Sequence, residues 1–390
     1  MSRSLRFNSH APVVKESVGV GEGRDKAPFR RAFRECQSDH PISQSCRWRA
    51  TRCYYPRLIG SRAAAVSFST WPRVRWSRIS ARQRSRTIDM TTEILGAKYD
   101  SPIVIAPTSS NRAFHPDGEV AVARAARTGN HLQMLSTVAT TSIEDAIAAR
   151  GAPVWFQLYP TRKWEVAEAL VRRAERAGSP VIVVTVDGPA PVNWETLVRL
   201  RRTDTRQCDG CHGRTFQDYV ARKPNFDGID LSGVTVLNAP NLTWDWIKRL
   251  RDTVKTKIVL KGILAYEDAI LAAAIGIDGI IVSNHSGRVV DTGRGTIEIL
   301  PEIVEAVGGR VPLLVDSGFR RGTDIIKALA MGAQAVCIGR PYLWGLGAFG
   351  QPGVERVLEI LRNETRVAMQ QVGAPSIKQL IPAMVQKASA

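Results

Sequence analysis

Gly279-Ile-Ile-Val-Ser-Asn-His-Ser-Gly-Arg288 is a short apolar run that passes straight into a histidine and an arginine. Four apolar residues bounded by turn formers read as a strand buried on both faces, the kind found in parallel sheets. The same grammar repeats outward from this stretch. Downstream, 312–315 runs into Asp316-Ser-Gly-Phe-Arg320 and 335–338 into Gly339-Arg340; upstream, 257–260 runs into Lys261-Gly262. Further strands are predicted at 102–106, 133–136, 154–158 and 181–186, with helical patterns at 118–127, 164–177, 244–254, 266–274, 300–307 and 323–331. Eight strands, each followed by a helix or an insertion, predict a closed (β/α)8 TIM barrel in the α/β class. A doubly wound open sheet is the runner-up, but no GxGxxG follows an early strand. Residues 188–243 form an excursion from the barrel's working face, and an amphipathic pattern at 354–372 predicts a final helix on the outside.

Composition bounds the class. Of 390 residues, 44% are hydrophobic and 23% charged, a globular balance that argues against wholesale disorder. No apolar run approaches the roughly 18 residues that span a bilayer. Six cysteines are too few for a disulfide scaffold, which predicts a cytoplasmic location, peripheral membrane association left open. The formal charge of +18 is uneven. Seventeen arginines and two lysines against five acids leave +14 in residues 1–88, and only +4 in the remainder. Residues 1–88 therefore read as a basic N-terminal extension, atypical and expected to be poorly ordered, and 89–390 as the barrel. A nucleic-acid arm and an organelle transit peptide are the other readings of the extension; nothing gives the barrel a nucleic-acid role.

Barrels work at the C-terminal ends of their strands. In strand order those ends deliver Pro107-Thr108-Ser109, Ser136, Gln157-Leu-Tyr159, Thr185-Val-Asp187, Lys261, Ser283-Asn-His285 with Arg288, Asp316-Ser317-Gly318 with Arg320, and Gly339-Arg340. Each residue alone has a structural reading as rim or ion pair. Together they place a lysine, a histidine, two carboxylates and three arginines on one face. Gly318 and Gly339 permit close backbone approach, Arg320 and Arg340 supply cationic forks, and Gly322-Thr323 opens a helix with N–H groups to offer. This is the usual phosphate corner of a barrel.

Ser283-Asn-His-Ser-Gly-Arg-Val-Val-Asp291, Val259-Leu-Lys-Gly262, Asp316-Ser-Gly-Phe-Arg320 and Gly339-Arg-Pro341 resemble the FMN-dependent 2-hydroxy-acid oxidase and dehydrogenase family. Ala106-Pro-Thr108 with His115-Pro-Asp-Gly118, Gln157-Leu-Tyr159 and Thr185-Val-Asp187 fit the same pattern in order, and the resemblance covers about residues 85–385. It implies FMN as cofactor, no metal, and oxidation of a small, lactate-like L-2-hydroxy acid to the 2-oxo acid. His285 would be the base, Asp187 its support, Arg288 the carboxylate grip and Tyr159 a substrate hydrogen bond. Lys261, with Ser283 near it, would sit by the reducible edge of the flavin. Pro107, Thr108, Ser109, Ser136, Gln157 and Thr185 would hold the ring. Asp316, Ser317 and Gly318 would meet the ribityl chain, and Arg320, Gly339 and Arg340 the phosphate. The resemblance also implies a homo-tetramer, with oxygen, a quinone or a cytochrome as electron acceptor.

Three places depart from the family pattern. Trp194 stands where an arginine is expected, Ser286 replaces a glycine, and residues 1–85 do not resemble the segment that carries a substrate tyrosine, leaving Tyr54 and Tyr55 as the available ones. A catalytically impaired FMN-binding barrel acting as a binding or structural protein is therefore the alternative. Cys208-Asp-Gly-Cys211-His212 matches the CxxCH haem-attachment pattern, but without an export signal an unliganded loop is the simpler reading.

Overall fold

The apolar runs become eight parallel strands whose residues are almost all buried: β1 (Ile103–Ile105), β2 (Met134–Ser136), β3 (Trp155–Leu158), β4 (Val181–Thr185), β5 (Lys257–Ile263), β6 (Gly279–Val282), β7 (Leu313–Val315) and β8 (Ala335–Ile338). The computed structural model describes residues 73–74, 87–188, 195–203, 216–237, 239, 241–289 and 294–386. Trp194, Cys208, Cys211, Tyr54 and Tyr55 lie outside the described residues, as does nearly all of the extension. Consecutive strands pair from β2 through β8, and β8 pairs back to β1. A parallel bridge between Ile105 and Gln133, with the Ile105 N–H donating to Leu132 O at 2.9 Å, joins β1 to β2 and closes the ring.

Strand alternation sorts the core into two layers. Val104, Met134, Val183, Val259, Ile281 and Leu314 fill the barrel interior, whereas Ile103, Ile105, Ile182, Val184, Leu260 and Val282 face the helices. A hairpin, Thr92–Ile94 with Ala97–Tyr99, caps the N-terminal end of the barrel. Its Ile94 and Tyr99 join the interior cluster, while Lys257 and Gln334, at strand starts, donate to Leu95 O and Glu93 O. The opposite end is left for the loops that carry the chemistry.

The outer layer is α1 (Gly118–Thr128), α2 (Ile143–Arg150), α3 (Trp164–Arg176), α4 (Trp244–Thr253), α5 (Tyr266–Ala274), α6 (Thr296–Val307), α7 (Gly322–Ala330) and α8 (Arg340–Val372). Between β4 and α4 come two short helices, Glu195–Arg202 and Phe216–Val220, and the turn Pro224–Phe226. The structure differs from the sequence reading in three elements. β5 continues to Ile263 through a bulge at Lys261–Ile263, so its lysine belongs to the strand and not to the loop beyond it. The eight-residue α2 escapes a periodicity search, although Ser142 caps it by accepting from the Asp145 N–H at 3.1 Å. α8 starts at Arg340, with a kink at Phe349–Gly350, ahead of the 354–372 expected from its amphipathic half. The two-residue strand Arg73–Val74 comes from the segment ahead of residue 88 and pairs with Val385–Gln386 near the C-terminus.

Candidate active site

At the mouth, the carboxylate of Asp187 just beyond β4 meets the imidazole of His285 beyond β6: His285 Nδ1 lies 3.0 and 3.1 Å from the two Asp187 oxygens. The Asp187 side chain is 1% exposed. Burial pushes its pKa up, but the His285 hydrogen bond and the Lys261 charge outweigh that and hold it below the ordinary carboxylate value. An ionised carboxylate only accepts, so Nδ1 carries the proton. Nε2 is then the lone-pair nitrogen, and it lies 3.2 Å from the Tyr159 hydroxyl, whose ring stacks on the imidazole at 6.4 Å. Burial, then the charge of Lys261, lowers the His285 pKa from its usual 6.5, so the neutral base is favoured.

Close backbone approach makes this pair possible. Gly262, in the β5 bulge, has φ +108°, and a Cβ there would lie 2.5 Å from the Cβ of Asp187. His285 and Ser286 adopt φ 55° and 63°, a left-handed turn that costs a non-glycine residue about 1–2 kcal/mol. The turn is tied down where Ser283 Oγ accepts from the His285 N–H at 3.2 Å and Ser317 Oγ from the Ser286 N–H at 2.9 Å.

Lys261 is buried beside these groups. It donates to Ser283 Oγ at 3.0 Å and pairs with Asp316 at 3.5 Å. Burial alone would lower its pKa, but Asp316 and Asp187 more than reverse this, so Lys261 is a fixed positive charge. Across β2, β3 and β4 runs a side-chain relay: Ser136 Oγ donates to Gln157 Oε1 at 3.0 Å, and Gln157 Nε2 donates to Thr185 Oγ1 at 2.9 Å. On the β1 loop, Pro107 and Thr108 face the cleft; Thr108 hydrogen-bonds Tyr342, and the half-buried Ser109 follows.

His285, Lys261, Asp316 and the β1 loop line a cleft of about 590 Å³ that reaches Gly318, Arg320, Gly339 and Arg340 at its other end. That end is strongly positive. Burial lowers the Arg340 pKa, as do the charges of Arg320 and Arg288. Gly318 takes φ +96°, and a Cβ on Gly339 would meet no protein atom within 4 Å, so its face opens into the cleft at the start of α8. The α7 end is used otherwise than the sequence suggests. Gly322 donates to Glu364 at 2.9 Å, and Arg320 and Arg321 donate through their backbones to Asp324, so those N–H groups are taken. Gly322 is there for packing, since a Cβ would lie 2.2 Å from Thr365 N on α8.

Sequence reasoning missed a second set of residues behind the first loops. Glu119 on α1 is buried and accepts from the backbone N–H groups of Asn111 and Thr140 and the hydroxyls of Thr140 and Thr141. Lys223, whose pKa burial pulls down to about 8, donates to Ser110 Oγ at 2.6 Å. Asn225 is fully buried against the β2 loop. The strand-end search could not find them, because none lies at a strand end.

A family model for FMN-dependent dehydrogenases matches residues 70–387. The chain belongs to the FMN-dependent dehydrogenase family. It is an oxidoreductase, and its cofactor is FMN. The match begins ahead of residue 88, where composition had drawn its boundary, and takes in Arg73–Val74. Among its relatives, a peroxisomal (S)-2-hydroxyacid oxidase of Arabidopsis thaliana is 40% identical over 293 residues, covering 74% of this chain and 79% of that protein. The 2-hydroxyacid oxidase 1 of Mus musculus is 43% identical over 305 residues, covering 77% and 82%. Among solved structures, a mandelate oxidase variant with (S)-mandelic acid superimposes with a TM-score of 0.73 at 33% identity, over 90% of this chain and all of that one. The cleft itself fits FMN: a guanidinium-rich end with an open glycine suits a phosphate, and the buried Lys261 cation suits the reducible edge of a flavin.

Proposed function

We propose that this protein oxidises a small, lactate-like L-2-hydroxy acid to its 2-oxo acid, with His285 as the base. The observation that carries this is the His285 imidazole: Asp187 fixes its Nδ1 proton from behind, and its lone-pair Nε2 lies beside the Tyr159 hydroxyl where His285 lines the cleft. The (S) configuration in the names of the plant oxidase and of the mandelate complex supports the L-hand. Bound FMN supplies the two-electron acceptor.

His285 Nε2 takes the hydroxyl proton, and Asp187 stabilises the resulting imidazolium. The Tyr159 hydroxyl orients the substrate oxygen, and Arg288, held by its Nε donating to His285 O at 3.2 Å, grips the carboxylate through a planar fork. Lys261 places its charge at the flavin edge, kept in position by Ser283 and Asp316. Ser136, Gln157 and Thr185, with the Pro107–Ser109 backbone, hold the ring. Asp316, Ser317 and Gly318 meet the ribityl chain, and Arg320, Gly339 and Arg340 take the phosphate. An alert catalytic pair favours the enzyme over the impaired binding barrel.

Anaerobic mixing tests the reading. L-Lactate is expected to bleach the flavin absorbance of the purified protein faster than D-lactate, with glycolate and (S)-mandelate as size controls. Failure of all the L-acids and of glycolate to reduce a fully loaded protein would overturn the substrate class; faster bleaching by mandelate would overturn only the small side chain.

A further inference from the structure

Resting on the flavin-holding role given above to Ser136 and Gln157, we propose that Asn225 is a positioning residue for the reaction. It is the tip of a peg, Lys223-Pro-Asn225, by which the β4–β5 excursion fastens the loops after β1 and β2.

Asn225 has no exposed surface and uses both functions of its amide. Its Nδ2 donates to Ser136 O at 3.3 Å and Thr137 O at 3.2 Å, while its Oδ1 accepts from the Ile143 N–H at 3.0 Å. One side chain thus spans the β2 loop from strand end to the start of α2, satisfying three backbone groups that burial would otherwise leave costly. The two carbonyls it grips belong to the residues that reach the site. Ser136 heads the relay to Gln157 and Thr185. Thr137 donates its hydroxyl to Gln157 O at 2.5 Å and accepts from the Tyr159 N–H at 3.0 Å. Asn225 therefore sets the ring-holding relay and the catalytic tyrosine together, without touching either cofactor or substrate.

The peg has its own anchors. Lys223 donates to Ser110 Oγ on the β1 loop, and Ser110 N–H donates to Val138 O at 3.3 Å, tying the β1 and β2 loops to each other. From outside, Arg173 on α3 donates to Pro224 O at 2.5 Å while its other nitrogens hold Glu144 of α2. A surface excursion with no such task has no need of a buried three-way amide.

Asn225→Asp keeps size and shape but turns the two donors into acceptors facing carbonyls. FMN release from the holoprotein, followed as recovery of free-flavin fluorescence after dilution, is read beside the position of the flavin's visible band. N225D is expected to release FMN at least tenfold faster and to displace the band, and Gln157→Ala to speed release as well. Val171→Ala, a cavity under the buried face of α3 at a side chain that makes none of these hydrogen bonds, is expected to leave both within twofold while lowering the melting temperature. Should N225D fail to fold, Asn225→Ser is read against the same thresholds. Unchanged release from Q157A would sink the flavin-holding role itself. Faster release from Q157A with unchanged N225D, or an equal change in V171A, would overturn the positioning role of Asn225.

Discussion

The two halves of the barrel mouth are built by different means. In the β5–β8 half, several groups at the cleft are held in part by near neighbours in sequence: Ser283 holds His285, Asp316 holds Ser317, and His285 O holds Arg288. In the β1–β4 half, the loops are short of internal support and are held from afar, by Glu119 from α1 and by Lys223 and Asn225 from the excursion. A local site can be altered one residue at a time. A braced one responds as a unit, so chemistry and cofactor binding should separate in one half and not in the other.

The largest effect falls in the local half. His285→Gln is expected to lower kcat/KM by a factor of about 10³, within the range of lost general-base catalysis, while keeping its FMN. Loss of the flavin in this variant would break the comparison. In the unaltered enzyme, a base held below its ordinary pKa stays neutral further into acid, so kcat/KM should fall only below pH 6.5. An acid limb above that value would mean another group carries the proton.

At the opposite end of the same strands, acid should act through stability. His131, between α1 and β2, is buried with Nδ1 donating to Ile103 O at 3.1 Å, and burial pulls its pKa down to about 4. Above pH 6.5 both folded and unfolded chains keep it neutral. As the pH falls from 6.5 to 4, only the unfolded chain takes the proton, and stability declines by about 3 kcal/mol at roughly 1.36 kcal/mol per pH unit. Urea melts across that window, compared with His131→Gln, measure it; equal slopes in the two proteins would remove His131 from the account.

At the seam between the halves, Gly262→Ala forces a methyl against Asp187. A tenfold loss in kcat/KM, about 1.4 kcal/mol, is expected with FMN retained. The smallest effect is Ser286→Gly. It relieves a left-handed serine but adds chain entropy to the unfolded state, for a net gain of about 0.5–1 kcal/mol, read as a rise of a few degrees in Tm.

The same contrast explains what could be read from the sequence. β6 and β8 fall where their apolar runs place them, because a strand buried on both faces announces itself by composition alone. Lys261 was legible as a functional lysine but not as a strand residue, since the strand continues past it through a bulge that the apolar run does not show. The other cleft residues of the β5–β8 half were legible because they lie on the stretches that follow strand ends. Glu119 and Asn225 were not, because an acid in an amphipathic helix and an asparagine in a loop look solvated until their partners, 21 and 82 residues away, come into contact.

Arg320 and Arg340 crowd one end of a partly buried cleft, and Arg288 lies close enough for its charge to add to that of Arg320 on Arg340. Three like charges held together repel, and a bound dianion relieves that repulsion while binding only the folded chain. A chain that has filled with flavin is therefore expected to melt higher than an empty one, by an amount that grows with the logarithm of free FMN.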